Sequence, residues 1–352
     1  MILFTMYCMN AGGAERVTAH QANYWAERGK KVGIITYDDA LSHYPLHENV
    51  KLYRNDLANV SKNLYEAVRN NLRRAFVLRG YFRKLKPTTV IAVMEEVNMV
   101  TCVASIGLSH KLIIYDVANP DYYSKGRVRR WFKKACYRVA DLLVVQTEGV
   151  KAAYEGFKLP VVVLKNPLPT PPTLEIDYQN KVIVSVGRLD IMKNLALIIK
   201  AFALVNAPEW EVRIFGAGVE QANLEQLIAK LGLKSRVFLK GLTKNVYAEL
   251  EKASIFAFGS KMEGYPNALL EGLSAGLSVV STDCPFGPAE IITPEKDGLL
   301  VPNNDEKAFA AALQRLINDV HLREKLGKEA LKIQSNLNIE KIMRDWEQHV
   351  VF

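Results

Sequence analysis

Two glutamates eight residues apart stand on either side of a turn that could bind an anionic ligand. Glu263 follows the apolar run at 255–258, which is typical of a buried strand, and Glu271 lies about two turns into a helix predicted from Asn267 onward. Pro266 suits the first position of that helix. Backbone N–H groups at a helix start, here those of Asn267, Ala268 and Leu269, are predicted to lack partners and therefore to attract an anion. Phosphates need such donors, and sugar hydroxyls need carboxylate acceptors.

The same residues also fit a capped turn that carries two solvated glutamates, so the neighbouring motifs matter. The stretch S-K-M-E-G-Y-P-N-A-L-L-E-G at 260–272 resembles the E-x7-E signature of retaining glycosyltransferases of family 4, which have the GT-B fold. Other blocks resemble family motifs in the family's order: G-G-A-E-R-V at 12–17, S-V-G-R-L at 185–189, and S-T-D-C-P-F-G-P-A-E at 281–290 with G-L-L-V at 298–301. The resemblance covers essentially the whole chain.

The resemblance implies that a UDP-sugar donor binds the C-terminal half. Arg188 and Lys193 would hold the pyrophosphate and take part in catalysis, because fixed cations stabilise the charge that develops on departing UDP. Glu271 would bind the ribose hydroxyls, and Glu263 would bind the sugar hydroxyls near the reacting centre. The other donor-binding residues implied by the resemblance are Gly12, Gly13, Gly216, Gly218, Gly264, Tyr265, Pro266, Asn267, Ala268 and Leu269.

Loops after strands of the N-terminal half would bind the acceptor. Asp116 lies near the place where many family members have a histidine, so it becomes a candidate catalytic residue. Glu95, Asn98 and Asn119 are the candidate acceptor-binding residues. An Asx-type turn before Pro120 explains the polar residues of that loop at least as well. None of the histidines falls in a family motif, and none is assigned a role.

Alternating strands and helices predict two doubly wound parallel sheets. With the resemblance, we expect an α/β protein of two Rossmann-like domains that face each other across a deep cleft. The acceptor domain spans 1–165, a proline-rich linker spans 166–173, and the nucleotide-sugar domain spans 174–338. A last helix at about 339–352 is expected to pack back on the first domain.

The strand predictions rest on short apolar runs bounded by turn residues. Residues 94–98 are interpreted as a loop after a strand. The predicted strands are 2–7, 31–36, 88–94, 111–115 and 142–145 in the first half, and 182–186, 211–215, 237–239, 255–258 and 279–281 in the second.

The net charge of +9 belongs to the N-terminal half, since residues 1–165 carry 25 Lys and Arg against 14 Asp and Glu. Two segments contain cations and no acid: the first runs from Arg69 to Lys86, the second from Lys125 to Arg138. Both interleave cations with apolar residues at helical spacing. Each segment could pack on the sheet while its cations stay in solvent. Alternatively, it could bind an anionic membrane, where each basic residue contributes about 1 kcal/mol of binding free energy.

We favour binding of these two segments to an anionic membrane surface, with the protein located peripherally on the cytoplasmic face of the cell membrane. No nucleic-acid motif accompanies the charge. No apolar run approaches the ~20 residues of a membrane span, and residues 1–4 lack the basic start of a signal peptide. The four cysteines show no metal spacing and are expected to be reduced.

The sequence therefore predicts a retaining, metal-independent enzyme that moves a hexose or N-acetylhexosamine from a UDP-sugar to a saccharide acceptor. The acceptor is expected to be lipid-linked, and the reaction to belong to bacterial glycan biosynthesis. No Asp-x-Asp pair is present, and no cofactor is expected. Gly216-Ala217-Gly218 forms half of a dinucleotide fingerprint, but Gln221 replaces its third glycine, which disfavours a nicotinamide enzyme. A nucleotide-sugar epimerase, a phosphorylase or a non-catalytic scaffold remain as alternatives.

Overall fold

The computed structural model describes residues 1–117, 126–167, 171–336 and 338–350. The chain forms two compact units, one made of Met1–Pro169 with Ile339–Phe352 and the other of Thr170–Asn338. The division between them lies inside the proline-rich segment 166–173. Each unit is built on a parallel sheet, so the predicted pair of Rossmann-like α/β folds is confirmed.

The sheet of the first unit has seven parallel strands. In chain order these are β1 (Ile2–Met6), β2 (Val32–Thr36), β3 (Val50–Tyr53), β4 (Thr89–Val93), β5 (Lys111–Tyr115), β6 (Leu142–Val145) and β7 (Val161–Val163). Their spatial order is β3-β2-β1-β4-β5-β6-β7, and Leu3 lies opposite both Gly33 and Val90. The inner strands are buried on both faces, which explains their continuous apolar runs.

Helices cover this sheet. They are α1 (Gly13–Glu27), α2 (Leu64–Leu85), α3 (Glu95–Ser105), α4 (Arg127–Tyr137), α5 (Glu148–Ala153) and, from the end of the chain, α14 (Ile339–Val350). Within α14, Trp346 is fully buried and its ring lies edge-on to Tyr115, 4.8 Å between centroids. Glu340 accepts from Tyr24 at 2.9 Å and pairs with Arg28 at 2.6 Å. Residues 339–350 therefore belong to the first unit, where the sequence places them.

The sheet of the second unit has six parallel strands: β8 (Val182–Val186), β9 (Glu211–Phe215), β10 (Val237–Gly241), β11 (Ile255–Phe258), β12 (Ser278–Asp283) and β13 (Leu299–Pro302), in spatial order β10-β9-β8-β11-β12-β13. Its helices are α6 (Leu195–Leu204), α7 (Gln221–Lys230), α8 (Val246–Leu250), α9 (Asn267–Ser274), α10 (Pro288–Ile291), α11 (Glu306–Asn318), α12 (Val320–Ala330) and α13 (Ile333–Asn336). Within the described residues, no helix combines the length and apolar character that a membrane crossing needs.

Each sheet has one point where the strand order reverses. In the first unit β1 lies between β2 and β4, and in the second unit β8 lies between β9 and β11. Ligands of doubly wound sheets bind outside the carboxyl ends of the strands at such a point. The loops after β1 and β4, and those after β8 and β11, are therefore the places where site residues should lie.

All predicted strands are confirmed, and three strands were missed. The missed strands are β3, β7 and β13, each of three or four residues and each at the edge of its sheet. β7 (V-V-V) and β13 (L-L-V-P) are too short to stand out as apolar runs, and a lysine interrupts β3 (V-K-L-Y). The prediction of a loop at 94–98 was wrong, because α3 begins at Glu95 directly after Met94, whose φ is +79°.

Candidate active site

A lysine and a glutamate pair where the loops after β8 and β11 meet. Lys193 Nζ donates to Glu263 Oε1 at 2.6 Å, although the two residues are 70 positions apart in the chain. They meet because β8 and β11 are neighbouring parallel strands whose carboxyl ends lie together. A cation that could bind phosphate therefore lies beside a carboxylate that could bind sugar hydroxyls.

The loop after β8 is shaped by Asp190. Its Oδ1 accepts from the backbone N–H groups of Met192 at 3.0 Å and Lys193 at 2.9 Å, which fixes the position of the lysine. Its Oδ2 lies 3.1 Å from Arg188 Nη2, whose side chain is 71% exposed. Exposed ion pairs of this kind contribute little stability, so the Arg188 guanidinium can exchange its carboxylate for another anion.

Two predicted donor-binding glycines hold this loop in place. A Cβ on Gly216 would lie 1.8 Å from the carbonyl oxygen of Gly187, and one on Gly218 would lie 2.3 Å from that of Leu189. The backbone of the loop after β9 thus runs against that of the loop after β8. The structure shows these glycines positioning the segment that carries Arg188 and Lys193.

The start of α9 differs in detail from the predicted anion site. Pro266 directly precedes the helix instead of occupying its first position. The N–H of Asn267 donates to Tyr265 O at 3.0 Å, and the N–H of Leu269 donates to Pro266 O at 3.0 Å. The prediction that the amides of Asn267, Ala268 and Leu269 are all unpaired was therefore wrong for the first and the last.

Glu271 lies in the second turn of α9 and is 2% exposed. The next residue explains how the helix buries it. A Cβ on Gly272 would lie 2.5 Å from the Phe256 ring, so this glycine lets α9 pack closely on β11. Glu263 is likewise buried. The interpretation of both glutamates as solvated side chains on a capped turn is thereby excluded.

A pocket of about 430 Å³ lies beside the Glu263 loop and adds residues to which the sequence gave no role. Pro285 O accepts from the Glu263 N–H at 3.4 Å, and Phe286 has a φ of +64°. Burial raises the pKa of the Cys284 thiol to about 12, so the thiol is protonated at neutral pH. The motif D-C-P-F-G-P was the available signal for this loop. The lining residues are Asp283, Cys284, Pro285, Phe286, Gly287, Ala289, Glu290 and Asn303.

In the first unit, Gly12 ends the turn after β1, and Gly13 is the first residue of α1. Gly12 is extended, with φ −151°, and its carbonyl accepts from the Arg16 N–H at 3.1 Å. A Cβ on Gly12 would lie 2.1 Å from a carboxylate oxygen of Glu15. The absence of a side chain at Gly12 therefore makes room for the Glu15 carboxylate.

The acidic residues predicted to contact the acceptor lie in a buried ionic network. Lys133 Nζ donates to Glu95 Oε2 at 2.7 Å, to Asp116 Oδ2 at 3.2 Å and to Tyr154 Oη at 2.7 Å. The hydroxyl groups of Tyr154 and Tyr137 donate to Asp116 Oδ2, the second at 3.2 Å. Burial, with Asp116 nearby, raises the pKa of Tyr137 well above its ordinary value.

This network bears on several predictions. Glu95, Asp116 and Asn98 are each at most 1% exposed, so their side chains contribute to the packing of the first unit, and their contact with an acceptor stays a prediction. Asn98 donates to the Tyr137 hydroxyl at 3.3 Å. Lys133, counted among the membrane-facing cations, is 1% exposed and binds two carboxylates. Lys133 lies one helical turn from both Arg129 and Tyr137 on α4, and this spacing was a sequence signal that could have identified it.

Two further predictions concern Asn119 and the binding of a metal ion. Asn119 lies outside the described residues. Within 1–117, 126–167, 171–336 and 338–350, no group of three or more His, Cys, Asp or Glu side chains is placed to hold a metal ion.

Each sheet has a reversal point of its strand order, and the paired Lys193 and Glu263 lie at that of the second unit. The sequence matches the family profile of glycosyl transferases group 1 over residues 170–333 and that of the glycosyl transferase 4-like domain over residues 12–167. The chain belongs to this family of glycosyltransferases.

Characterised relatives are similar over nearly the whole chain. One is the Campylobacter jejuni GalNAc-alpha-(1->4)-GalNAc-alpha-(1->3)-diNAcBac-PP-undecaprenol alpha-1,4-N-acetyl-D-galactosaminyltransferase, 29% identical over 98% of this chain and 96% of the relative. Another from the same organism is N-acetylgalactosamine-N,N'-diacetylbacillosaminyl-diphospho-undecaprenol 4-alpha-N-acetylgalactosaminyltransferase, 28% identical over 97% of this chain and 96% of the relative.

Solved structures confirm the GT-B fold. Anabaena HepE in complex with UDP and glucose superposes with a TM-score of 0.81 at 17% identity, over 99% of this chain and 98% of HepE. A variant of S. aureus TarM, in a complex that includes UDP, superposes with a TM-score of 0.81 at 14% identity over 99% of both chains. At such low sequence identities, the structural similarity applies to the fold and not to the activity.

Proposed function

We propose that this glycosyltransferase moves a hexose or N-acetylhexosamine from a UDP-sugar to a saccharide carried on polyprenyl diphosphate, with retention and without a metal ion, in bacterial glycan biosynthesis. Two kinds of relative support this assignment. The Campylobacter jejuni enzymes are named for undecaprenol-diphosphate acceptors, and the HepE and TarM complexes contain UDP.

The observation that carries the proposal is the contact between Lys193 Nζ and Glu263 Oε1 at 2.6 Å, with Glu271 buried on the adjoining helix. A nucleotide-sugar has a diphosphate next to a sugar ring. In the proposed complex Lys193 turns to the diphosphate, Glu263 accepts from sugar hydroxyls, and Glu271 accepts from the ribose. Each partner of the ion pair thus exchanges the other for the complementary group of the donor.

The proposed reaction occurs on one face of the donor sugar. The acceptor oxygen forms a bond to the anomeric carbon as the bond from that carbon to the β-phosphate oxygen breaks, and the acceptor proton passes to that phosphate oxygen. Arg188 and Lys193 stabilise the negative charge that collects on UDP, and such fixed charges act most strongly in the transition state. These cations take the part that a metal ion plays in other transferases.

The first unit offers a surface suited to an anionic membrane. Trp131 on α4 is 71% exposed and Phe76 on α2 is 80% exposed. The exposed cations Arg69, Arg73 and Arg130 lie among these apolar side chains. Apolar groups that enter the headgroup region and cations that meet anionic lipid are the two components of peripheral binding.

The proposal is tested first by nucleotide binding and turnover. UDP should raise the thermal unfolding temperature of the wild type, since a ligand at ~100 times its Kd adds about 2.7 kcal/mol to stability. Arg188→Ala and Lys193→Ala should reduce acceptor-dependent UDP release by roughly 100-fold or more while the fold stays intact. Lys181→Ala, which removes an exposed lysine of the same unit, serves as the control.

Each outcome has a definite meaning. Near-normal turnover in Arg188→Ala or Lys193→Ala would remove the roles assigned to these cations. Stabilisation by NAD but not by UDP would exclude a UDP-sugar donor. If the wild type binds UDP, but the rate of UDP release from the UDP-sugar is the same with and without saccharide acceptors, the chain does not transfer sugar to these acceptors.

A further inference from the structure

A groove of about 530 Å³ runs over α3 between α2 and α4. Its walls are mostly apolar, with Val68 and Leu72 from α2, Val100 and Val103 from α3, and Phe132 from α4. Most of these side chains are exposed instead of closed into the core. Contiguous exposed apolar surface of this kind usually marks a binding site.

The two ends of the groove lie in different places. Tyr7 follows β1 directly, and Glu96 lies in the first turn of α3 directly after β4, so this end lies at the carboxyl edge of the sheet. Val103 lies in the last turn of α3, about 10 Å further along a helix that rises 1.5 Å per residue. The groove therefore leads from the ligand edge of the first unit to its outer surface.

A cation lies at the inner end. Arg74 donates to the carbonyl oxygens of Leu57 at 2.9 Å and Asn59 at 3.2 Å, and to Asn71 Oδ1 at 3.0 Å. All three acceptors are neutral oxygens, and no ion pair of Arg74 with a carboxylate is found among the described residues. The acidic lining residue is Glu96, and the complementary place for an anion is on the Arg74 side.

We propose that this groove holds the first isoprene units of a polyprenyl-diphosphate-linked acceptor. The diphosphate lies toward Arg74 at the carboxyl edge, and the chain runs along α3 toward Val103. The assignment rests on the proposed function, since it concerns the lipid of that acceptor. It adds a chain-binding site that is separate from general attachment to a membrane surface.

Size and charge favour a single hydrocarbon chain over a protein partner. A volume of about 530 Å³ lies within the range of ~300–1,000 Å³ that is usual for small-ligand pockets. A protein partner would instead cover about 800 Å² of surface on each side. A second copy of this chain would bring the exposed Arg69 and Arg73 against their own equivalents, and like charges oppose such contacts.

Farnesyl diphosphate is a water-soluble probe for this site, with inorganic pyrophosphate and farnesol as comparators. Isothermal titration below the aggregation concentration of the probe gives the three affinities. Farnesyl diphosphate should bind the wild type at least about tenfold more tightly than pyrophosphate, because the chain adds buried apolar area. Equal binding of the two would overturn the assignment.

Variants locate the site. Leu72→Glu and Val103→Glu replace exposed lining residues, and a carboxylate in the groove must lose water when the chain enters, so each should weaken farnesyl diphosphate binding by about tenfold or more. Leu72→Met should bind as the wild type does. Phe76→Glu, one turn further along α2 and outside the groove lining, is the matched control and should leave the affinity unchanged.

The remaining outcomes separate this assignment from the proposed function. Equal weakening by Phe76→Glu would show adsorption to any exposed apolar side chain, and a dimer dissociated by Leu72→Glu would make a second copy the occupant; either overturns the assignment. Absent probe binding with a normal UDP shift removes the groove assignment alone. Absence of a UDP shift in the wild type removes the proposed function and this assignment with it.

Discussion

At the scale of single residues, Lys133 is the side chain on which the buried network of the first unit depends. It donates to Glu95 and Asp116 at 2.7 and 3.2 Å, and all three groups are at most 1% exposed. Removing one partner of a buried ion pair leaves an uncompensated charge, which costs more than the pair itself contributes. Asp116 also accepts from Tyr137 and Tyr154, so the network links β5 with α4 and the residues after α5.

Lys133→Met should lower the free energy of unfolding by about 3–5 kcal/mol, because two carboxylates lose their buried cation. Urea denaturation at neutral pH measures the change. Arg130→Met, which removes an exposed cation from the same helix, should change stability by less than about 0.5 kcal/mol. Similar stabilities for the two variants would show that Lys133 is not the counter-ion of this network.

A second residue makes stability depend on pH. Burial, and to a smaller degree Arg16, lowers the pKa of His20 to about 4 from an ordinary value of 6.5. The unfolded chain therefore takes up the proton first as pH falls, and stability is lost between about pH 6.5 and 4, by at most about 1.4 kcal/mol per pH unit.

Urea denaturation at pH 7 and pH 5 tests this dependence. His20→Gln should lose less stability than the wild type between the two pH values, since its side chain does not titrate. His43→Gln, at an exposed histidine of the same unit, should keep the wild-type difference. An unchanged difference in His20→Gln would assign the loss to other groups.

At the scale of helices and strands, α2 has two distinct faces. Only Asn70, Ala75, Leu78 and Phe82 of its 22 residues are buried, and the rest of the helix mixes apolar side chains with cations. The sequence predicted this mixture, and charge spacing alone could not tell which cations are solvated. Arg69 and Arg73 are exposed, whereas Arg79 donates to the carbonyl oxygens of Ala104 and Ile106 at the end of α3.

Replacement of both Arg69 and Arg73 by Ser should weaken binding to phosphatidylglycerol vesicles by roughly 30-fold, since each cation near anionic lipid contributes about 1 kcal/mol. Co-sedimentation at low salt measures the binding. The control replaces Lys200 and Lys230, two exposed lysines of the second unit, by Ser and should bind as the wild type does. Equal losses in both double variants would mean that net charge alone governs binding.

The elements that the sequence predicted, and those it did not, differ in their burial. The inner strands of both sheets and helices α9 and α14 were identified because apolar runs, a turn with Pro266, and helical spacing mark them. Contacts between distant segments have no local signal. Lys193 meets Glu263 across 70 positions, and Gly216 meets Gly187 through backbone packing, so only the family resemblance indicated these places.

At the scale of the whole molecule, the first unit is completed by α14 from the far end of the chain. Trp346 is fully buried in it, packs on Tyr115 and donates to Lys165 O at 3.3 Å. Residues from three distant parts of the sequence thus share one core, and the stability of the first unit depends on a segment that follows the second.

Trp346→Ala should destabilise the first unit by about 3–5 kcal/mol, the usual cost of emptying a buried aromatic site. Hydrogen exchange followed by mass spectrometry resolves the two units. Protection should fall in peptides from β1, β4 and β5 and persist in peptides from β8, β11 and β12. Trp131→Ala, at the exposed tryptophan of α4, should leave both patterns unchanged. Equal loss of protection in both units would show that they unfold together.

The return of α14 to the first unit has a consequence for biosynthesis. A ribosome that adds about 5–20 residues per second needs on the order of 10 s to pass through the second unit after the first is made. Throughout that interval the first unit lacks the helix that covers Tyr115, and its apolar surface stays open to chaperones and to neighbouring nascent chains. The first unit, although translated before the second, is therefore completed after it, and a stop codon before residue 339 damages the unit that is encoded earlier in the message.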